Sequence, residues 1–242
     1  MASVPWSGHL KNQVGVARRR QGRSESSTLV TVDAQSVKNT DTAGFKGYDA
    51  GKKVSGIKRH IAVDTLGLPH AIAVTTVNVT DRQGALQAFE RCKASLSAVQ
   101  VVLTDAGYTG NRFAMGVKQL LGEHVQVQIA KRSELHRFEV MPKRSIVERS
   151  FAWLEKNRRL WKNCERWLNT SLQFIHLAFV ALLLRRSQTR SYKICQAGIL
   201  MPYLLASGHV RLRSMHAQWM QHSFARCDTS FFHLLGTHDR TF

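Results

Sequence analysis

A chain of 242 residues holds one full domain with material left over, and its 43% hydrophobic content is enough to bury a core, which excludes wholesale disorder. Thirty-five Lys and Arg against 16 Asp and Glu leave a formal charge of +19 and a pI near 10.6. That excess points away from a charge-balanced surface and toward a polyanionic partner, of which nucleic acid is the commonest.

Cys92, Cys164, Cys195 and Cys227 form no C-x-x-C pair, which excludes zinc-knuckle spacing and a dense disulfide framework. They read as incidental thiols in a reducing compartment. The N-terminus has no apolar signal-peptide core. The longest apolar segment, residues 172–184, is interrupted by Gln173 and His176 and is short for a bilayer crossing. It reads as the buried helix of a cytoplasmic protein with no membrane partner.

In chain order, residues 1–27 show no clear periodicity and read as a basic linker or arm, from which no helix-turn-helix can be built. TLVTVD (28–33) is a β-branched strand ending on Asp33, followed by a polar, Gly-punctuated excursion. Residues 57–64 and 66–76 predict a hairpin closed by a turn at 65–67. Residues 81–98, with Ala85, Leu86 and Phe89 apolar, predict a helix with Asp81 as its N-cap. QVVLTD (100–105) is a second strand ending on an acid, Asp105; residues 111–121 read as a helix and 124–130 as a strand.

Residues 141–186 form the chain's most basic helical stretch. Pro142 suits the first turn, Val147, Phe151, Leu154, Trp161 and Leu168 recur at helical spacing, and a break is expected near Asn169. This order of elements predicts an α/β fold, a mixed sheet flanked by helices. Residues 187–242 lose periodicity and read as a poorly ordered or unrelated tail, with five His lacking ligand spacing.

Asp33 and Asp105 each close a strand, and Glu148 lies beside the Val147 stripe of a very basic helix. Three carboxylates converging to about 4 Å would repel by several kcal/mol per pair at an effective dielectric near 20. Divalent cations relieve that repulsion, and hard oxygen ligands suit Mg²⁺ or Mn²⁺. Two such ions activate a water or a 3′-hydroxyl against a phosphodiester. The alternatives are ordinary ones: strand-end Asp residues as turn formers or caps, and an Arg144–Glu148 ion pair worth a few tenths of a kcal/mol. Lys38, Lys58, Arg59 and His60 track phosphates or alternate on an exposed strand. Arg149, Arg158, Arg159, Lys162 and Arg166 hold DNA or form a solvated helix face. Trp153, Trp161 and Trp167 stack on bases or pack at an interface.

VDAQSVK (32–38), GYDAGKKVSGIKRHIAVDTLGL (47–68), LTDAGYTG (103–110) and RSIVERSFAWLEKNRRLWKNCER (144–166) together resemble, in order, the DDE transposases of bacterial insertion sequences, within insertion sequence family five. The resemblance covers about residues 28–186. It implies a ribonuclease H-like catalytic domain with its metal-binding triad on Asp33, Asp105 and Glu148, holding two Mg²⁺ or Mn²⁺ ions. It also implies metal-dependent nicking and strand transfer at element ends, DNA as partner at those ends and at the target, a homo-oligomer on DNA, and a nucleoid-associated place in the cytoplasm. Arg144 matches the family's Arg before the Glu, whereas Met141 stands where relatives place an aromatic residue. Family members carry a longer N-terminal segment that binds the terminal repeats, and the likeness ends near residue 190. An inactive, truncated remnant that binds DNA non-specifically or interferes with intact transposase is the alternative. A nuclease of the same fold in repair or defence is a third reading.

Overall fold

The computed structural model describes residues 5–130 and 144–206, with side chains for 7–130 and 146–187. Six strands form one sheet: β1 (Leu29–Lys38), β2 (Gly47–Asp49), β3 (Val54–Val63), β4 (Pro69–Thr76), β5 (Val101–Thr104) and β6 (Gln126–Ile129). The β3–β4 hairpin closes where the sequence predicts. Asp64 Oδ1 accepts from the amides of Leu66 (2.8 Å) and Leu68 (3.0 Å), and Gly67 supplies the positive φ (+78°) that the turn needs. β1 runs antiparallel to β3, β3 antiparallel to β4, and β1 parallel to β5, which is parallel to β6. The order β4-β3-β1-β5-β6, with β2 beside the start of β3, is that of a ribonuclease H-like sheet.

Side chains alternate between the two faces. On one, Val30, Val32, Ala62, Ala71, Ala73 and Val102 meet Phe89 of α2 (Asp81–Arg91) and Phe113 and Val117 of α3 (Asn111–Leu121). On the other, Ile61, Val63 and Ile72 meet three helices. These are α1 (Pro5–Arg19), α4 (Arg144–Glu155) and α6 (Leu168–Ala206). Each fully buried Val, Leu, Ile or Phe contributes about 1.5–3 kcal/mol relative to exposure. The faces therefore fix the register, since a one-residue slip would turn both cores outward.

Several elements differ from the sequence expectation. Residues 5–19 form a helix, not an irregular arm, because Leu10 and Val14 lie one turn apart in the core and Arg18 finds a buried acid, Asp64. β1 continues past Asp33 to Lys38, since β3 supplies a ladder from Asp33↔Ile61 to Lys38↔Gly56. α2 stops at Arg91, and its N-cap is Thr80, which accepts from the Gln83 amide, so Asp81 is not the cap.

The expected long helix is three pieces: α4, the single turn α5 (Arg158–Trp161), and α6. The break falls before Asn169 because Asn163 ties the link to the sheet. Its amide donates to Lys38 O (2.9 Å), its Nδ2 to Asn39 Oδ1 (3.0 Å), and its Oδ1 accepts from Ser171 Oγ (2.6 Å). Met141 and Pro142 lie outside the described residues, as do those beyond Ala206; up to that point α6 extends into the expected tail. By length and composition alone, Leu168–Ser187 is apolar enough to cross a membrane, with a mean hydropathy of 1.4. Its Leu172, Ile175, Phe179, Val180 and Leu183 are instead buried in the core with α1 and α4.

Candidate active site

The β1–β5 register aligns Leu29 with Val101 and Thr31 with Leu103. The paired register ends there, two residues before Asp33 in β1 and two before Asp105, which follows β5. Asp33 is therefore mid-strand in β1, at the level where β5 ends. Asp33 is an odd-numbered member of β1, whose Val30 and Val32 face α2 and α3, which places it on the face that α4 covers; Asp105 follows the last residue of β5. Local bonds fix each carboxylate. Asp33 Oδ1 accepts from the Ala34 amide (2.7 Å), and Asp105 Oδ1 caps the 3₁₀ turn of residues 106–108 through the Gly107 amide (3.0 Å).

The third predicted acid is placed differently. α4 buries Val147, Ser150, Phe151 and Leu154, with Ser150 Oγ donating to Gly67 O (3.0 Å), and Glu148 lies on its exposed side. Glu155, two turns along the same flank, accepts from Gln35 Nε2 of β1 at 2.6 Å. The flank carrying Glu148 thus meets β1. Among the described residues, however, no three His, Cys, Asp or Glu side chains gather closely enough to hold a metal ion. Asp33 and Asp105 each offer hard oxygen donors of the kind that suit Mg²⁺ or Mn²⁺.

Tyr108 carries no role in the sequence reading, and Asp81 enters it only as a helix cap. Tyr108, inside the LTDAGYTG stretch, is buried against Phe113 (ring centroids 5.2 Å), and its hydroxyl has no hydrogen-bond partner among the described residues. Burial, and then the charges of Asp33, Asp81 and Asp105, push its phenol well above the ordinary tyrosine range. Asp81 pairs with Lys58 Nζ (2.8 Å). Only the position of Tyr108, three residues after Asp105, could have flagged it.

The predicted DNA-contacting residues divide. Lys58 and Arg59 are corrections: both are buried, at 4% and 1% exposure, because β3 is an interior strand covered on both faces. Lys58 Nζ binds Asp81 and Val79 O (2.8 Å), and Arg59 Nη2 donates to Leu160 O (2.6 Å). His60 is buried with them, its Nε2 2.9 Å from Thr75 Oγ1. Lys38, Arg149, Arg158 and Lys162 are exposed. Arg149 lies 5.7 Å and Arg186 4.0 Å from the Trp153 ring centroid. Arg159 is engaged by Glu165 (2.8 Å) and lies 5.0 Å from the Phe174 ring. The side chain of Arg144 is outside the described set. Trp161 and Trp167 are 67% and 64% exposed, Trp167 sitting 5.6 Å from Phe45.

A ribonuclease H-like sheet with one acid in β1 and another just after the neighbouring β5 defines the class. Residues 24–184 match the family model described as Transposase DDE domain, and the chain belongs to that family. A Burkholderia cepacia protein assigned as transposase for insertion sequence element IS402 is 31% identical over 134 residues, covering 52% of this chain and 60% of its own length. The chain thus spans about 60% of that curated relative. Among solved structures, the HTLV-2 integrase catalytic core domain in complex with magnesium aligns at 16% identity and a TM-score of 0.40, covering 64% of this chain and 83% of that one. The Mos1 strand transfer complex aligns at 14% identity and a TM-score of 0.26, covering 76% and 63%.

Proposed function

We propose that this chain is the catalytic core of an insertion-sequence transposase of family five, nicking DNA at element ends and joining the freed 3′-hydroxyl to target DNA. The observation that carries this reading is the parallel pairing of β1, which contains Asp33, with β5, which Asp105 follows, inside the segment matched to the DDE domain. Asp33 and Asp105, with Glu148 as third ligand, would hold two Mg²⁺ or Mn²⁺ ions, which supply Lewis-acid stabilisation of the phosphodiester oxygens. The Ala34 and Gly107 amides hold the two carboxylates in fixed rotamers before substrate arrives. Exposed Lys38, Arg149, Arg158 and Lys162 neutralise backbone phosphates, so affinity falls with salt. The partners are the element ends and target DNA, the working form is a homo-oligomer on DNA, and the site of action is the nucleoid.

A second reading, an inactive chain that only binds DNA, draws on there being no three acidic, His or Cys side chains gathered closely enough to hold a metal ion among the described residues. One experiment separates the two. Supercoiled plasmid is incubated with Mg²⁺ or Mn²⁺ and either the wild-type chain or Asp105→Asn. Nicking by the wild type, lost in the variant with duplex binding retained, is the expected result. Equal nicking by both, or none by either, overturns the catalytic reading.

A further inference from the structure

The turn that carries Asp105 is braced from α2, a helix to which the reading above gives no part. Lys58 Nζ, buried on β3, donates to Val79 O (2.8 Å) and pairs with Asp81 (2.8 Å), which fixes the entry to that helix. In the first turn, Gly84 lies so close to β3 that a Cβ there would come within 2.0 Å of the His60 ring. The start of α2 therefore cannot shift along the sheet without a clash.

Arg82 stands on this fixed turn and reaches across to another. Its Nε donates to Gly107 O at 3.0 Å, 25 positions along the chain. Gly107 is the residue whose amide donates to Asp105 Oδ1, also at 3.0 Å. The guanidinium continues along the same loop, so that a Cβ on Gly110 would lie 3.9 Å from Nη1. Residue 107 is thus held on one side by Arg82 while its amide holds the carboxylate on the other.

The brace matters because residue 107 is soft. It is an exposed glycine, with more backbone freedom than any other residue type. The bonds from Tyr108 N to Asp105 O and from Thr109 N to Ala106 O lie within the turn and move with it. The Arg82 bond refers the turn to a separate, anchored element. A metal ligand has to be held within about 0.5 Å of its working position, and partners one step removed from the ligand supply that precision. The bond uses the Nε–H, so an uncharged amide at that point of the side chain can replace it.

We propose that Arg82 is a positioning residue for Asp105, holding Gly107 so that its amide keeps the Asp105 carboxylate in the rotamer that receives a divalent cation. The proposal rests on the reading of Asp105 as a metal ligand given above.

The test is Mn²⁺ binding by the full chain, without DNA, followed through the electron paramagnetic resonance signal of the free ion. Arg82→Met keeps the length of the side chain and removes the donor; it should bind Mn²⁺ about tenfold more weakly than the wild type. Arg82→Gln places an amide N–H where Nε stood and removes the charge; it should bind as the wild type does. Because Arg82 and Gly107 are both exposed, neither variant should move the urea unfolding midpoint. Wild-type affinity in Arg82→Met overturns the proposal, and the metal-ligand reading stands if Asp105→Asn still loses the ion. Equal weakening in Arg82→Met and Arg82→Gln assigns the effect to charge and overturns it as well. So does a fall in the Arg82→Met midpoint that accompanies the weaker binding, since the bond then serves the fold. No Mn²⁺ bound by the wild type, or equal binding by the wild type and Asp105→Asn, sinks the metal-ligand reading and this proposal with it.

Discussion

Arg18, in the last turn of α1, donates Nη1 to Oδ2 of Asp64, 46 positions away in the β3–β4 turn, and both side chains are buried, at 6% and 0% exposure. Burial works against the Asp64 charge. Hydrogen bonds from His70, the Leu68 amide and Arg18 outweigh it and hold the carboxyl below its usual range. The pair ties α1 to the hairpin that carries half of the sheet's antiparallel section.

Removing one partner of a buried pair leaves the other charge uncompensated, so Arg18→Ala should destabilise the chain by about 3–5 kcal/mol in urea titration. A loss under about 1 kcal/mol would mean that α1 is held by Leu10 and Val14 alone. The sign of the pH effect follows from a depressed folded pKa. The Asp64 contribution is complete above the unfolded value near 3.9 and disappears as pH falls through the lower folded one.

Two buried imidazoles act in a higher window. Burial lowers His60 and His176 from 6.5 to about 4 each. In His60 the opposing pull of Asp81 is smaller than the burial effect. Between about pH 4 and 6.5 the unfolded chain binds protons that the folded one refuses, so stability rises with pH across that window and is complete above it. With two such groups the slope approaches about 2.7 kcal/mol per pH unit at mid-window. Unfolding measured at pH 4.5, 5.5 and 6.5 checks this, and His176→Leu should halve the slope. A flat profile would show that both rings titrate in the fold as they do in the unfolded chain.

How much of this the sequence disclosed depends on how local the cause is. The Thr65–Gly67 turn, α3 and β5 were legible, because a positive-φ glycine, an apolar helical stripe and a β-branched run each act within a few residues. The helix over Pro5–Arg19 was not, since its third anchor is an arginine whose partner lies in another element. The full reach of β1 was also hidden: Asp33, Gln35 and Ser36 are polar and half-buried, and only the β3 ladder marks them as strand. Lys58, Arg59 and His60 look like surface alternation until β3 takes an interior place in the sheet. Asp33 and Asp105 could be named from motif resemblance, but that β1 and β5 are neighbours is a matter of sheet pairing, which no single segment encodes.

Tyr108 offers a test of the site's polarity. Its buried hydroxyl has no partner among the described residues and is surrounded by three acids. Tyr108→Phe removes an unmet polar group while keeping the ring against Phe113, so stability should stay level or rise by about 1 kcal/mol. Thermal or urea unfolding decides it. A clear loss of stability would mean that the hydroxyl contributes a bond to the fold after all. If stability holds and plasmid nicking falls, the hydroxyl instead serves the carboxylates.

Glu148 separates the catalytic reading from the DNA-binding one most sharply. Its neighbours Val147 and Ser150 anchor α4 to the core and to the Gly67 turn, while Glu148 itself stays on the exposed flank that reaches β1 through Glu155. Glu148→Gln keeps size and polarity at an exposed position and removes one negative charge. If Glu148 joins Asp33 and Asp105 when DNA and divalent cations are bound, the variant loses a ligand charge that the cations need, and nicking should fall below detection. DNA binding should be unchanged or tighter, because the charge removed opposes the phosphates. Stability should move by less than about 0.5 kcal/mol, as for other surface substitutions. Supercoiled-plasmid nicking with Mg²⁺ or Mn²⁺, run beside a salt titration of duplex binding, measures both effects. Nicking at the wild-type rate by Glu148→Gln but not by Asp105→Asn would define a site of two carboxylates and remove Glu148 from the catalytic set.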